Sequence, residues 1–265
     1  MEDANRRWVG SMADAYERWL GAGVFTPFAQ ESARRAAARH PQRVLELAAG
    51  TGALTRELLT ALPDARITAT DLSPAMVELG RANAPGADWR QADAMALPFG
   101  DGKFDLVTCA FGVMFLPDKR AGFAEAARVL DKDGTLSFSV WGLLEEHDLQ
   151  AGVVAGVRLA FPDEPPTFLE AVPHAYADAD VIAADLDAAG LECTSVETVT
   201  LPCHGESALG VAIGYCHGTP LRNQIEERGS LDDATDVVAA ELTRRFGEGP
   251  VSGSMAAVLV EARPR

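Results

Sequence analysis

The sequence predicts an α/β fold: a seven-stranded, mostly parallel sheet with helices on both faces and an additional helical lid. Short apolar runs alternate with helix-like segments between about residues 43 and 141, a pattern typical of parallel sheets. Turn signals such as Pro63-Asp64 and Pro85-Gly86 separate the segments. In such sheets the ligand crevice opens at the carboxyl ends of the strands. The residues that follow each strand are therefore the first candidates for function.

The composition limits the possible partners. The chain has 265 residues, of which 48% are hydrophobic and 23% charged, and its net charge is −16. This charge argues against nucleic acid and membrane surfaces as partners and favours a small molecule. Residues 1–7 lack a signal-peptide pattern and no apolar run approaches membrane-spanning length, so we expect a cytoplasmic protein. The sequence leaves its oligomeric state open between monomer and homodimer.

The N-terminal region, residues 1 to about 40, is expected to be helical. Apolar residues recur there at three- and four-residue intervals, which places them on one helix face: Trp8, Met12, Tyr16, Trp19 and Leu20. Pro27 begins a second helical segment, which continues to Arg39 and ends before Pro41.

Seven strands and several helices follow in the expected order. The predicted strands are Val44–Leu47, Arg66–Thr70 ending at Asp71, Asp88–Gln91, Phe104–Ala110, Thr135–Trp141, Leu191–Leu201 and Met255–Ala262. The predicted helices run to about Leu62 after the first strand, and over Pro74–Asn83, Pro117–Leu130, Gln150–Phe161, Asp178–Ala189 and most of 206–247. Asp131–Gly134 is expected to be a turn. Residues 143–190 interrupt the alternation, and their helices are expected to form the lid.

The Gly-rich segment Glu46–Gly52 follows the first strand. Glycines at this point allow a tight turn and a close approach of the backbone to a ligand. The segment is not a good dinucleotide fingerprint, because Thr55 stands where a third glycine would be needed. By itself it is also compatible with a simple strand-to-helix turn.

Two acids follow the next two strands. Asp71 ends the second strand, where a carboxylate can accept hydrogen bonds from a ribose diol. Ser73 is the predicted N-cap of the following helix, with Pro74 at its first position. Asp93 follows the third strand, and a carboxylate there could accept from an adenine amine while Met95 packs on the ring. A surface acid is the alternative for Asp93.

The fourth strand leads into a loop of small and aromatic residues that begins with Ala110 and Phe111. Such a loop can form the wall of a pocket, or it can simply be part of the core. Cys109 lies in the same apolar stretch and is interpreted as a core residue. None of the four cysteines lies in a Cys-x-x-Cys pair, so we expect no metal site.

Together these motifs resemble the class I S-adenosylmethionine-dependent methyltransferases over residues 42 to 142, and within them the branch that includes ubiquinone and menaquinone biosynthesis methyltransferases. The resemblance implies a Rossmann-like sheet whose final strand is antiparallel between the fifth and sixth. It also implies S-adenosyl-L-methionine as the cofactor and methylation of a small molecule at O, N or C, in biosynthetic or secondary metabolism. The implied cofactor-binding residues are Tyr16, Glu46, Ala48, Gly50, Gly52, Asp71, Leu72, Met76, Asp93, Ala94, Met95, Ala110 and Phe111.

The resemblance divides the single domain, residues 1–265, into four parts. These are an N-terminal helical segment (1–40), a cofactor-binding core (41–142), a lid and substrate region (143–225), and a final helix and strand (226–265). The segment around Tyr16 resembles one that closes over the cofactor. One departure from the family's first motif is Ala48, where glycine is common.

The candidate catalytic residues are His147 and then His174, because a histidine can take a proton from an oxygen or nitrogen acceptor near neutral pH. His147 lies beyond the carboxyl end of the fifth strand and His174 lies in the lid. Positioning of the acceptor alone is the alternative to base catalysis.

Three other functions stay open. A nicotinamide-dependent oxidoreductase would share the sheet, but the third glycine is missing. A methyltransferase of nucleic acid or protein amines would usually show Asn/Asp-Pro-Pro-Tyr after the fourth strand, where this chain has Cys109–Gly112. A Rossmann-like protein that binds the cofactor without methylating is the third.

Overall fold

The structure is a computed structural model, and it describes residues 10–265. The predicted N-terminal helical region is confirmed from Gly10 to Ala37, but it has three parts. These are α1 (Gly10–Tyr16), a π-helix (Glu17–Phe25) and α2 (Thr26–Ala37). The part of the prediction that covers residues 1–9, including Trp8, lies outside the described residues.

A seven-stranded sheet is present, with the strand order β3-β2-β1-β4-β5-β7-β6. Its strands are β1 (Arg43–Glu46), β2 (Arg66–Asp71), β3 (Asp88–Gln91), β4 (Phe104–Ala110), β5 (Leu130–Trp141), β6 (Leu191–Gly205) and β7 (Val251–Pro264). The first five strands pair with one another in parallel. Strand β7 lies between β5 and β6 and is antiparallel to β5, so the predicted fold class is confirmed.

The remaining helices alternate with the strands as predicted and then continue beyond β5. They are α3 (Ala53–Ala61), α4 (Pro74–Asn83), α5 (Lys119–Val129), α6 (Asp148–Ala160), α7 (Phe168–Ala171), α8 (Ala179–Ala188), α9 (Ala208–Gly218), α10 (Leu221–Glu226) and α11 (Leu231–Phe246). Among residues 10–265, no helix has both the length and the apolar character needed to cross a membrane.

The predicted turn Asp131–Gly134 is wrong, because these residues belong to β5. Phe104 of β4 pairs with Leu130, and Leu106 pairs with Thr135. Five residue steps along β5 therefore face two steps along β4, and the surplus forms an irregularity within the strand. The Asp131 carboxylate accepts the backbone N–H of Asp133 across this irregularity, so turn-forming residues occur without ending the strand.

The backbone divides into two compact units. Unit 1 comprises residues 1–27, 142–175 and 200–256, of which residues 10 onward are described, and unit 2 comprises residues 28–141, 176–199 and 257–265. The finer division of the single domain stays a prediction.

Unit 2 contains the core around the first strands. A cluster of α2, α3 and β-strand side chains is almost fully buried and includes Ala33, Leu58, Val44, Ile67 and Leu106. A second cluster forms around Trp89, whose indole N–H donates to Ala84 O at 2.9 Å. These contacts fix the strands and the loops at their carboxyl ends.

Unit 1 depends on close approaches at glycine. On α9, side chains added at Gly210 and Gly214 would collide with Trp19 and Leu20, and one at Gly218 would lie 2.7 Å from the backbone nitrogen of Tyr16. The glycines are four residues apart and lie on one helix face. The N-terminal helices can therefore pack directly on the α9 backbone.

The π-helix has a close approach of its own. Thr26 donates its backbone N–H to Gly21 O, five residues earlier, and its hydroxyl donates to the same oxygen at 3.0 Å. A Cβ at Gly23 would lie 1.9 Å from His204 O, whereas a Cβ at Gly21 would meet only the Glu17 carboxylate at 3.3 Å. The first obstacle is backbone and the second is the end of a flexible side chain.

This difference gives a matched test. We expect Gly23→Ala to lower the free energy of unfolding by about 1–3 kcal/mol, because the backbone at His204 must move. Gly21→Ala should be neutral or slightly stabilising, since alanine is favoured over glycine in helices. Urea denaturation of both variants measures this, and equal stabilities would contradict the described packing.

Candidate active site

The turn after β1 is held in a left-handed backbone conformation. Ala48, Gly50 and Gly52 have φ angles of 50°, 56° and 86°. Both sides of the turn are anchored, since Leu47 N–H donates to Thr108 O at 2.8 Å and Ala49 N–H donates to Thr70 O at 2.9 Å. The neighbouring strands β2 and β4 therefore fix the turn from both sides.

The turn is also joined to Asp71 at the end of β2. One carboxylate oxygen accepts Gly50 N–H at 2.9 Å, and the other accepts Ser73 N–H at 2.9 Å. Burial raises the pKa of Asp71, while these backbone donors favour its charged form. Ser73 caps α4 as predicted, and the Asp71 carboxylate also accepts backbone hydrogen bonds in this region. It fixes the position of the turn.

The backbone at Gly50 borders open space. A Cβ built there would meet nothing within 4 Å, although the residue is adjacent to the Asp71 carboxylate. An accessible backbone beside a strand-end carboxylate fits a ligand that carries a ribose. The residues present are therefore compatible with an adenosine-containing cofactor.

Glu46 supports the turn from the buried side. It is 1% exposed, and its Oε2 accepts the Thr55 hydroxyl at 2.7 Å. Burial raises the pKa of Glu46 to about 8. The sequence alone did not predict this bond. There, Thr55 stands out only because it occupies the position of the third glycine of a dinucleotide fingerprint. The role of Glu46 as a direct cofactor contact stays a prediction.

The predicted adenine-binding residues are partly exposed. Asp93 Oδ1 accepts Met95 N–H at 2.9 Å, and Asp93 also forms an isolated bridge with Ala96. This hydrogen bond orders the loop that contains Ala94. Near Asp71, Leu72 is 40% exposed whereas Met76 is buried.

An aromatic cluster lies where β4 and β5 end. Phe111, which follows Ala110, has a left-handed φ of 54° and stacks on Trp141 with ring centroids 3.6 Å apart. Phe28 of α2 meets both rings edge-on. A non-glycine residue in this conformation is strained and persists only when its surroundings impose it. The Phe111 N–H donates to Ser139 O, which adds to that restraint.

The other predicted site residues belong to unit 1. The rings of His147 and His174 meet edge-on with their centroids 4.5 Å apart, so the structure brings the two candidate bases together. Tyr16 lies against Phe25, with ring centroids 4.6 Å apart. Its proposed contact with the cofactor stays a prediction.

The two histidines differ as candidate bases. His174 Nδ1 lies 2.7 Å from Gly142 O, and a carbonyl only accepts, so Nδ1 carries the proton and Nε2 carries a lone pair. Burial, aided by the nearby His174, lowers the pKa of His147 to about 3. Burial also lowers the pKa of His174. The fixed tautomer leaves His174 Nε2 able to accept a proton, and the choice of either histidine as a base stays a prediction.

The similarity to known proteins covers the residues that form this site. Residues 44–134 match the family model described as a methyltransferase domain. A demethylmenaquinone methyltransferase of Deinococcus radiodurans is 38% identical over 127 residues, 46% of this chain and 53% of the relative. A malonyl-(acyl-carrier protein) O-methyltransferase of Hahella chejuensis is 41% identical over 98 residues, 36% of this chain and 35% of that protein.

Residues 44–134 of this chain form a methyltransferase domain. The predicted family resemblance is thereby confirmed. The solved structure of YcgJ from Bacillus subtilis shares the fold with a TM-score of 0.57 and 22% identity, covering 89% of this chain and 98% of YcgJ. The chain spans about half the length of the Deinococcus relative, so the similarity identifies the methyltransferase domain and leaves the acceptor open.

The left-handed turn predicts an unusual substitution result. Alanine at φ 50° costs about 1–2 kcal/mol, so Ala48→Gly should leave stability unchanged or raise it by about 0.5–1 kcal/mol after the greater entropy loss of glycine. Ala49→Gly is the matched control. It removes a buried methyl from an ordinary conformation and should destabilise by about 1 kcal/mol. Thermal unfolding of both distinguishes them, and equal losses would contradict the strain at Ala48.

The buried histidines predict a loss of stability in acid. Both are neutral when folded, whereas the unfolded chain takes up their protons below pH 6.5. The stabilisation that comes from the two neutral imidazoles is fully present above pH 6.5. It is lost as the pH decreases toward the pKa values of the folded protein. His147 alone should contribute a loss of about 2 kcal/mol between pH 6.5 and 5.

The measurement compares urea denaturation of wild type and His147→Gln at pH 7.5 and 5. The variant should lose less stability over this range, while the exposed His204 gives a control variant, His204→Gln. The buried Glu46 has a raised pKa and contributes with the opposite sign in all three proteins. That contribution cancels in the comparison, and identical pH slopes would refute the prediction.

Proposed function

We propose that the protein transfers a methyl group from S-adenosyl-L-methionine to a small-molecule acceptor. The observation that carries this proposal is the Gly50–Asp71 hydrogen bond beside an open backbone, within residues that match a methyltransferase domain. The first turn and the second strand end are the parts of this sheet that hold a ribose. The named relatives, which act on a quinone precursor and on a carrier-bound acid, support a role in biosynthesis.

The cofactor would be held by residues of unit 2. The Asp71 carboxylate would receive the ribose hydroxyls, the Gly50 and Gly52 turn would allow close approach, and Asp93 would receive the adenine amine. Phe111, with Trp141 behind it, would form a rigid wall. S-adenosylmethionine supplies an electrophilic methyl group on a sulfonium, so much of the protein's contribution is positioning.

The acceptor would be bound by residues 1–30 and 143–225, whose described residues lie mostly outside the strands of the sheet. An oxygen or nitrogen acceptor loses a proton during methyl transfer, and His174 Nε2 has the lone pair to receive it. His147 would hold the His174 ring from its edge. The expected partners are therefore a small molecule and, at most, a second copy of the chain.

The cofactor site is tested by isothermal titration calorimetry with S-adenosylhomocysteine. Asp71→Ala should weaken binding at least tenfold, because it removes a charge-assisted hydrogen-bond acceptor worth about 1.5–3 kcal/mol. Asp88→Ala is the control, since Asp88 begins β3 and pairs with Arg90 at the surface. Unchanged affinity in a folded Asp71→Ala protein would overturn the assignment, and binding of NADH instead would favour an oxidoreductase.

The activity is tested with methyl-labelled S-adenosylmethionine and fractionated cell extract. Transfer of label to a small molecule is the expected result, and the labelled product identifies the acceptor. Binding of S-adenosylhomocysteine without any transfer would instead support a Rossmann-like protein that binds the cofactor and does not methylate. Label in protein or nucleic acid would refute the acceptor class.

The base is tested on that acceptor across pH 6 to 9. His174→Ala should lower the rate at least tenfold and change the pH profile, whereas His147→Ala should have the smaller effect on the profile. Wild-type rates and profiles in both variants would leave positioning alone as the source of the rate.

A further inference from the structure

Unit 1 buries four polar side chains that lie close to one another. His147 precedes α6, Gln150 lies on α6, Tyr215 lies on α9 and His174 follows α7. All four are more than nine-tenths buried. The Gln150 amide faces both the His147 imidazole and the Tyr215 hydroxyl, and His147 contacts His174. The four side chains therefore form one continuous polar cluster.

Three atoms of this cluster lack a hydrogen-bond partner among residues 10–265. They are His174 Nε2, Gln150 Oε1 and the Tyr215 hydroxyl. Gln150 interacts with both His147 and Tyr215, but these contacts do not meet the full geometry of a hydrogen bond at Gln150 Oε1 or at the Tyr215 hydroxyl. The His174 tautomer makes Nε2 an acceptor, Gln150 Oε1 is also an acceptor, and the Tyr215 hydroxyl can donate. The cluster thus presents two acceptors and one donor.

Other buried polar groups in the same unit are satisfied. The Thr219 hydroxyl donates to Tyr215 O at 2.6 Å, and the Thr235 hydroxyl donates to Leu231 O at 2.7 Å. A buried polar atom without a partner is destabilising and calls for an explanation. Three such atoms on neighbouring side chains indicate that a bound group satisfies them when the protein functions.

We propose that Gln150, His174 and Tyr215 are the hydrogen-bonding residues of the acceptor site, and that they bind an uncharged group with two donor hydrogens, a neutral primary amine or a pair of hydroxyls. The proposal rests on the proposed methyltransferase function. Such a group donates to His174 Nε2 and Gln150 Oε1 and accepts from Tyr215. Its donation to Nε2 also places its proton on the candidate base.

The surrounding charge excludes an anionic acceptor group from this cluster. A carboxylate or phosphate has no donors for the two acceptor atoms, and both imidazoles are uncharged at neutral pH. The nearby charged groups are the carboxylates of Asp148, Glu145 and Glu170. The three atoms are shielded from solvent, so the proposal requires this part of unit 1 to open when the acceptor enters.

The first test needs no acceptor. If the Tyr215 hydroxyl is buried without a partner, Tyr215→Phe should not lower Tm and should raise it by about 2–4 °C. Tyr176→Phe is the control, because the Tyr176 hydroxyl donates to Asp185 at 2.9 Å, and this variant should lower Tm. A fall in Tm for Tyr215→Phe as large as the control's would overturn the proposal, since the hydroxyl would then have a structural partner such as a buried water.

The second test uses the labelled acceptor from cell extract. Tyr215→Phe and Gln150→Leu should bind S-adenosylhomocysteine as the wild type does and should methylate the acceptor at least tenfold more slowly, through a higher KM. The acceptor should carry a primary amine or a pair of hydroxyls. Wild-type KM in both variants, or an acceptor that has only anionic polar groups, would overturn the proposal. Absence of any labelled product from wild type would instead refute the proposed function, and the Tm comparison would still decide whether Tyr215 has a partner.

Discussion

The hydrogen bond from Gly50 N–H to the Asp71 carboxylate is the interaction on which the candidate cofactor site depends. It joins the turn after β1 to the end of β2, and neither element could hold the other without the parallel pairing of the two strands. The same carboxylate accepts Ser73 N–H at the start of α4. One half-buried acid therefore positions two loops and the beginning of a helix.

Two residues near this hydrogen bond have strained backbone conformations. Ala48 and Phe111 both have left-handed φ angles, and they follow β1 and β4, which are adjacent in the sheet. A Cβ at Gly112 would lie 2.6 Å from the Ala48 Cβ, so the two loops approach each other closely. The strand pairing and the aromatic packing behind Phe111 hold both residues in these conformations. A rigid, strained edge suits a site whose main task is positioning.

In unit 1 the unfavourable feature is a cluster of buried polar side chains. This cluster keeps two histidines neutral and leaves hydrogen-bonding atoms without partners. Burial of such groups opposes folding, and the close glycine packing of α9 against the N-terminal helices contributes in the stabilising direction. Stability and function are expected to conflict at this cluster, as they do at many binding sites.

The sequence by itself determined the order of the elements, the sheet and the positions of Asp71 and the Gly50 turn, because apolar periodicity and turn chemistry are local properties. It was misleading at Asp131–Gly134, where pairing with β4 kept turn-forming residues inside β5. Only the tertiary structure decided the His174 tautomer and the grouping of Gln150 with Tyr215. These features depend on contacts between residues far apart in the chain. A local sequence pattern therefore cannot predict which buried polar atoms form hydrogen bonds.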